Sequence, residues 1–196
     1  MRMIFLLSLC YFLHGGSLLA QLKMEREYRI NKKEVPLLAR QLVDSCFGEQ
    51  KIRWYAEQAI EEKTFEAKFK IKKQHFSIEF DTLGGIQDFE MQIKLKQIPD
   101  SLQAQILAAL NNKFTKYKIV KIQEQWLGSR QALFYKAKGL PLPSSFSLAP
   151  VVVNYEIVVI GRHNKVYKSF ELLFAADGQI LSSLEIIHSS NENLIY

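Results

Sequence analysis

The sequence predicts an α+β fold: two tandem units, each a helix followed by an antiparallel meander, forming one curved sheet with helices on one face. Three observations predict it. Val35-Pro36 and Ile98-Pro99 each open an apolar helical stretch. Strands follow that end in Phe76-Ser77-Ile78-Glu79-Phe80 and in Phe170-Glu171-Leu172-Leu173-Phe174. Phe76, Phe80, Gly84 and Ile86 then superpose on Phe170, Phe174, Gly178 and Ile180 at one constant offset.

Arg2, the apolar run Met3–Leu13 and Ala20 before a cut read residues 1–20 as a secretory signal peptide. The run is too short to span a bilayer, so the mature chain is expected to be periplasmic or secreted and not membrane-spanning. Cleavage removes Arg2 and no acid, taking the net charge from +6 to +5, and removes Cys10. Cys46 is then alone, so the exported fold rests on its core rather than on an internal disulfide.

Residues 21–97 form the first unit, with a charged N-terminal arm or strand around Met24, Tyr28 and Ile30. Pro36 suits a helix start, and Leu38, Leu42, Val43 and Phe47 make an amphipathic stripe that Gly48 ends. Ile52–Glu57 is an opening strand. Phe65, Ala67, Phe69 and Ile71 alternate with Glu66, Lys68, Lys70 and Lys72, and Phe76, Ile78 and Phe80 with His75, Ser77 and Glu79. Such period-two alternation marks a half-buried antiparallel sheet with one wet face. Gly84-Gly85 turns into the strand Ile86–Ile93.

Residues 98–196 form the second unit. Leu102, Ile106, Leu110 and Phe114 make a single helical stripe. Tyr117–Trp126, Gln131–Ala137, Val151–Ile160, Val166–Phe174 and Ile180–Ile187 read as strands. Gly161-Arg162-His163-Asn164 and Asp177-Gly178 read as hairpin turns. The stretch 139–150, with three prolines, is an irregular insertion without counterpart in the first unit.

With these units laid out, the chain resembles the PepSY-like exported bacterial proteins, which are akin to β-lactamase-inhibitor-like folds of two tandem units. Val35-Pro36 with Ile98-Pro99 carry the likeness at the helix starts, and Phe65-Glu66 with Tyr155-Glu156 on the second strands. The last hairpins add Phe80, Gly84 and Ile86 with Phe174, Gly178 and Ile180. Asp177-Gly178 keeps the aspartate usual there; Leu83-Gly84 does not. The resemblance implies a binding or inhibitory module without catalysis or cofactor, and no functional residues carry over from it.

The residues themselves offer no catalytic, cofactor-binding or metal motif. His75, His163 and His188 match no ligand spacing, and GxSxG, P-loop, GxGxxG and HExxH patterns are absent. Lys68, Lys70 and Lys72 form a basic row on the wet face, joined by Glu66; these four are the candidate binding surface. Nucleic acid would require aromatics on that same face, and here they lie on the other. The expected function is an exported, non-enzymatic module engaging a protein partner through its open sheet face or loops. A binder of an anionic small ligand or envelope polymer is the alternative, and a hydrolase the third reading.

Overall fold

The computed structural model describes residues 21–23, 26–59, 62–141 and 151–187. The signal peptide read at 1–20, residues 142–150 of the insertion and His188 lie outside them. The elements are β1 (Gln21–Lys23), β2 (Arg26–Ile30), α1 (Leu37–Phe47), β3 (Arg53–Gln58), β4 (Lys63–Ile71), β5 (Gln74–Phe80) and β6 (Ile86–Gln92). They continue with α2 (Asp100–Lys113), β7 (Tyr117–Leu127), α3 (Arg130–Lys138), β8 (Val152–His163), β9 (Val166–Ala175) and β10 (Ile180–Ile186). The fold is α+β.

Ten strands make one sheet in the order β1-β10-β9-β8-β7-β6-β5-β4-β3-β2. From β2 to β10 it is a meander of antiparallel neighbours, while β1 runs parallel to β10. The first and last strands of this order are consecutive in the chain. Only two residues separate Lys23 of β1 from Arg26 of β2, a reach of at most about 11 Å. Ten flat strands would set those edges about 43 Å apart. The N-terminal segment therefore ties both edges together, and the sheet curls almost shut. Bulges between Glu79 and Phe80, Ile119 and Lys121, and Ile180 and Ser182 add local bend.

Apolar residues take the convex side. One buried cluster joins Ala39, Val43 and Phe47 of α1 to Phe69, Ile78, Phe80 and Phe89, and extends to Trp126, Leu133 and Phe134. A second joins the stripe Leu102, Ile106, Leu110 and Phe114 to Ile157, Leu172 and Phe174. Met91 and Val153 border both. Phe80 pairs with Phe65 and Ile86; Phe174 pairs with Tyr155 and Ile180. Both are fully buried.

Several details depart from the sequence reading. Gln131–Ala137 lies in helix α3, not in a strand. Residues 130–138 hold no β-branched side chain, and the Ser129 hydroxyl caps the helix by accepting from the Ala132 amide at 3.4 Å. Leu38 is not on the buried stripe of α1, which runs through Ala39, Leu42, Val43 and Phe47; 49% of Leu38 is exposed. Gly161 belongs to β8 rather than to a turn, because the Phe114 ring occupies the space a side chain there would fill. The turn falls instead at Asn164-Lys165, with φ of 50° and 67°, much like Lys72-Lys73 with 47° and 70°. Two residues of left-handed backbone match the twist of a tight hairpin, and both connections use them. Lys72 thus leaves the strand row to which its spacing assigned it.

Candidate binding concavity

Strand alternation sends the side chains opposite the apolar core into the curl. Acids stand between buried apolar neighbours on strand after strand: Glu66 between Phe65 and Ala67, Glu79 between Ile78 and Phe80, Glu156 between Tyr155 and Ile157, Glu171 between Phe170 and Leu172. Asp88 and Glu90 flank the buried Phe89. The apolar neighbours fix the strand phase, so the acids have one direction to point. Side chains from nine strands, β1 to β9, line a single concavity of 210 Å³. Eight carboxylates and three lysines surround it. The wet, basic face expected from the sequence is at its centre a half-buried, acidic one.

Register explains the crowding. Glu66 on β4 faces Glu79 on β5, which faces Asp88 on β6. Like charges directly opposite across a sheet oppose its assembly. Lysines answer some of them. Lys68 bridges Glu66, at 3.0 Å, and Glu27. Lys121 meets Glu156 at 3.3 Å, and Lys23 meets Glu171 at 3.0 Å. Thr64 Oγ1 donates to Glu79 at 2.7 Å.

Asp88 and Glu90 receive neutral donors. Gln125 Nε2 donates to Asp88 Oδ2 at 2.9 Å. Ser77 Oγ donates to Glu90 Oε2 at 3.1 Å, and Gln123 Nε2 donates to the same oxygen. Asp88 Oδ1 and Gln123 Oε1 are buried with no hydrogen-bond donor among the described residues.

The protonation equilibria follow. Burial, then the charge of Glu79, pushes the Asp88 carboxyl up to about 7. Burial, then Glu156 and Asp88, holds Glu90 well above the usual range. Burial also raises Glu66, against the opposing pull of Lys68, and raises Glu171 with help from Glu156. Burial disfavours the Lys68 and Lys121 ammonium groups, but the carboxylates around them outweigh it and raise both.

Of the four residues singled out from sequence, Glu66 and Lys68 lie in this concavity. Lys70 is exposed and lines an adjoining cleft of 530 Å³ with Lys51, Arg53 and His75. Glu66, Lys68, Ser77 and Lys121 are shared by the two spaces, so the site is acidic in its depth and basic at this rim. Lys72 lies in the β4–β5 turn and lines neither. Asp88, Glu90, Glu156, Glu171, Lys23 and Lys121 were not among the candidate binding residues. The available signal was an acid held between two apolar residues, which Glu90, Glu156 and Glu171 show; Asp88, between Gln87 and Phe89, and the two lysines do not.

Among the described residues, no group of three or more His, Cys, Asp or Glu could hold a metal ion, and no helix is long and apolar enough to cross a membrane. A groove of 670 Å³ runs between α1 and α3, where half-buried Cys46 contacts Ser45 Oγ at 3.6 Å. It gathers few ionisable groups. His163 is exposed and meets the Phe170 ring edge-on.

No protein-family model matches the chain, and no curated protein matches it. Solved structures do resemble it. One, from Bacteroides eggerthii and described provisionally as periplasmic, superposes with a TM-score of 0.50 at 12% identity, over 80% of this chain and 93% of that one. A BLIP-like protein from Bacteroides fragilis gives 0.47 at 10% identity, over 81% and 92%. A DUF2874 family protein from Bacteroides ovatus gives 0.47 at 8% identity, over 77% and 87%. At 12% identity, the first of these speaks for fold alone.

Proposed function

We propose that this chain is an exported, non-enzymatic binding module that engages a protein partner through the concave face of its sheet. One observation carries the reading. The three helices and both apolar clusters lie on the convex side, while side chains of nine strands converge into one charged concavity on the other. A sheet stabilised from one side leaves the second free for recognition, and charges held at fixed positions supply specificity. The export reading rests on residues 1–20 and agrees with the provisional periplasmic description of the neighbour from Bacteroides eggerthii. The PepSY-like division into units 21–97 and 98–196 belongs to the same proposal. Its support is the helix-then-strands order found after both Pro36 and Pro99.

Two other readings are weaker on physical grounds. An anionic ligand or envelope polymer would meet eight carboxylates against three lysines. A hydrolase needs an acid and a base whose environments push them apart; Asp88, Glu90, Glu66 and Glu171 are all pushed the same way.

The test is capture from envelope extract, comparing the wild type with Lys51→Glu combined with Lys70→Glu. These two exposed lysines line the rim. Lys68 is a poor choice, because reversing its charge would strand Glu66 and Glu27. A stoichiometric protein partner, weakened by salt and lost from the double variant, is expected. Equal recovery of that partner on both proteins contradicts the reading.

A further inference from the structure

Asp88 and Glu90 stand out within the concavity. Lys23, Lys68 and Lys121 are committed to Glu171, to Glu66 with Glu27, and to Glu156. Asp88 lines the space, is 8% exposed, has no cationic partner among the described residues, and keeps one buried oxygen without a donor. Gln123, which donates to Glu90 from the side of the adjoining cleft and is 6% exposed, leaves its own carbonyl oxygen without a donor. A buried acceptor with no donor costs about 1–3 kcal/mol, more when charged. Two of them against a row of facing carboxylates describe a site lacking positive charge and several N–H donors. An ammonium brings three such donors and a guanidinium five. A metal ion would require a convergent ligand set, and the described acids do not form one. The 210 Å³ of space accepts the end of one long side chain, not a folded segment.

We propose that the concavity receives a single arginine or lysine side chain of the protein partner, with its cationic head between Asp88 and Glu90. This rests on the reading of the concave face as the partner surface. The rim gives the approach its form. Lys51, Arg53 and Lys70 would repel a uniformly basic segment, so the fitting partner places one basic residue among acidic ones. Entry of the cation discharges the proton Asp88 holds near neutrality. The groups facing Asp88 set that step: Glu79 and Glu66 from β5 and β4, Glu90 on its own strand, Gln125 from β7 and Glu156 from β8. Binding is therefore tighter at pH 8 than at pH 6 by about tenfold, with a proton released at the lower pH.

Titration calorimetry tests this with an acetylated pentapeptide carrying one arginine between acidic residues, the same peptide with citrulline for arginine, and agmatine. The arginine peptide should bind, tenfold or more tighter than the citrulline peptide. Asp88→Asn and Glu90→Gln should each weaken it about tenfold and flatten its pH dependence. Thermal melts of both variants establish that they are folded. Equal affinity for the arginine and citrulline peptides overturns the proposal, as does no binding of the arginine peptide at millimolar concentration. Agmatine binding as tightly as the peptide, and as dependent on Asp88, would make the occupant a free amine and overturns the partner side chain. If Lys51→Glu with Lys70→Glu abolishes partner capture while Asp88→Asn leaves it intact, this inference fails and the concave-face reading stands. If neither variant alters capture, both fail.

Discussion

At the scale of single residues, Asp88 sets the protonation of the concavity. Its carboxyl titrates near 7 in the folded chain, against about 3.9 when unfolded. The folded state thus holds more protons than the unfolded one between those values, and stability falls as pH rises through that window. The loss is complete above 7. Glu90, Glu66 and Glu171 are raised and act in the same direction. We expect a thermal midpoint higher at pH 5.5 than at pH 8, and Asp88→Asn should raise the midpoint at pH 8 and shrink the difference. The cost involved is a few kcal/mol in order of magnitude, shared among the acids. A midpoint that rises from pH 5.5 to 8 contradicts the protonation pattern. None of this was legible from Asp88 alone. In sequence it is an acid before a phenylalanine; its neighbours Glu79 and Glu156 come from strands whose register only the fold sets.

At the scale of elements, what could be read was the alternation of apolar residues, and what could not was the exceptions to it. Phe65–Ile71 and Phe76–Phe80 announced their strands, and Leu102, Ile106, Leu110 and Phe114 their helix, because burial of one face dictates the period. Residues 130–138 failed that logic: Ala132, Leu133 and Phe134 are buried in succession, so no clean period marks the helix. Its serine cap and lack of β-branched residues were the better signal.

The two last hairpins give a comparative prediction at this scale. Gly84 and Gly178 adopt φ of 89° and 90°, where a side chain is strained. A Cβ on Gly84 would come within 2.8 Å of the Ala39 backbone nitrogen of α1, which cannot yield. On Gly178 it would meet the flexible Gln105 side chain of α2. Both glycine-to-alanine changes should destabilise by more than about 1 kcal/mol, Gly84→Ala by the larger amount. Denaturant midpoints decide it, and the reverse order would show that the α1 contact is not the constraint.

For the whole molecule, two apolar clusters share one curled sheet, and Phe80 and Phe174 are each fully buried in one of them. Phe80→Ala and Phe174→Ala should each cost on the order of 3–5 kcal/mol by urea titration. Losses below about 1 kcal/mol at both would mean that neither residue anchors its cluster. The helix-and-strand order was legible because it is local. The curl was not, since it depends on one short N-terminal segment pairing with both edges, Gln21–Lys23 with β10 and Arg26–Ile30 with β3. That closure turns the polar face from an open plane into a concavity, with Lys68 inside it and Lys70 at its rim.

On this reading the concavity holds under-compensated carboxylates ready for a cation. Carboxyl-carbon NMR of Asp88, followed through a pH titration with and without the arginine pentapeptide, tests it most directly. The predicted result is an inflection near pH 7 in the free protein that moves down toward the ordinary aspartate range, by at least one unit, when the peptide is bound. An inflection already near 4 in the free protein, or one that the bound peptide leaves unmoved, would contradict it.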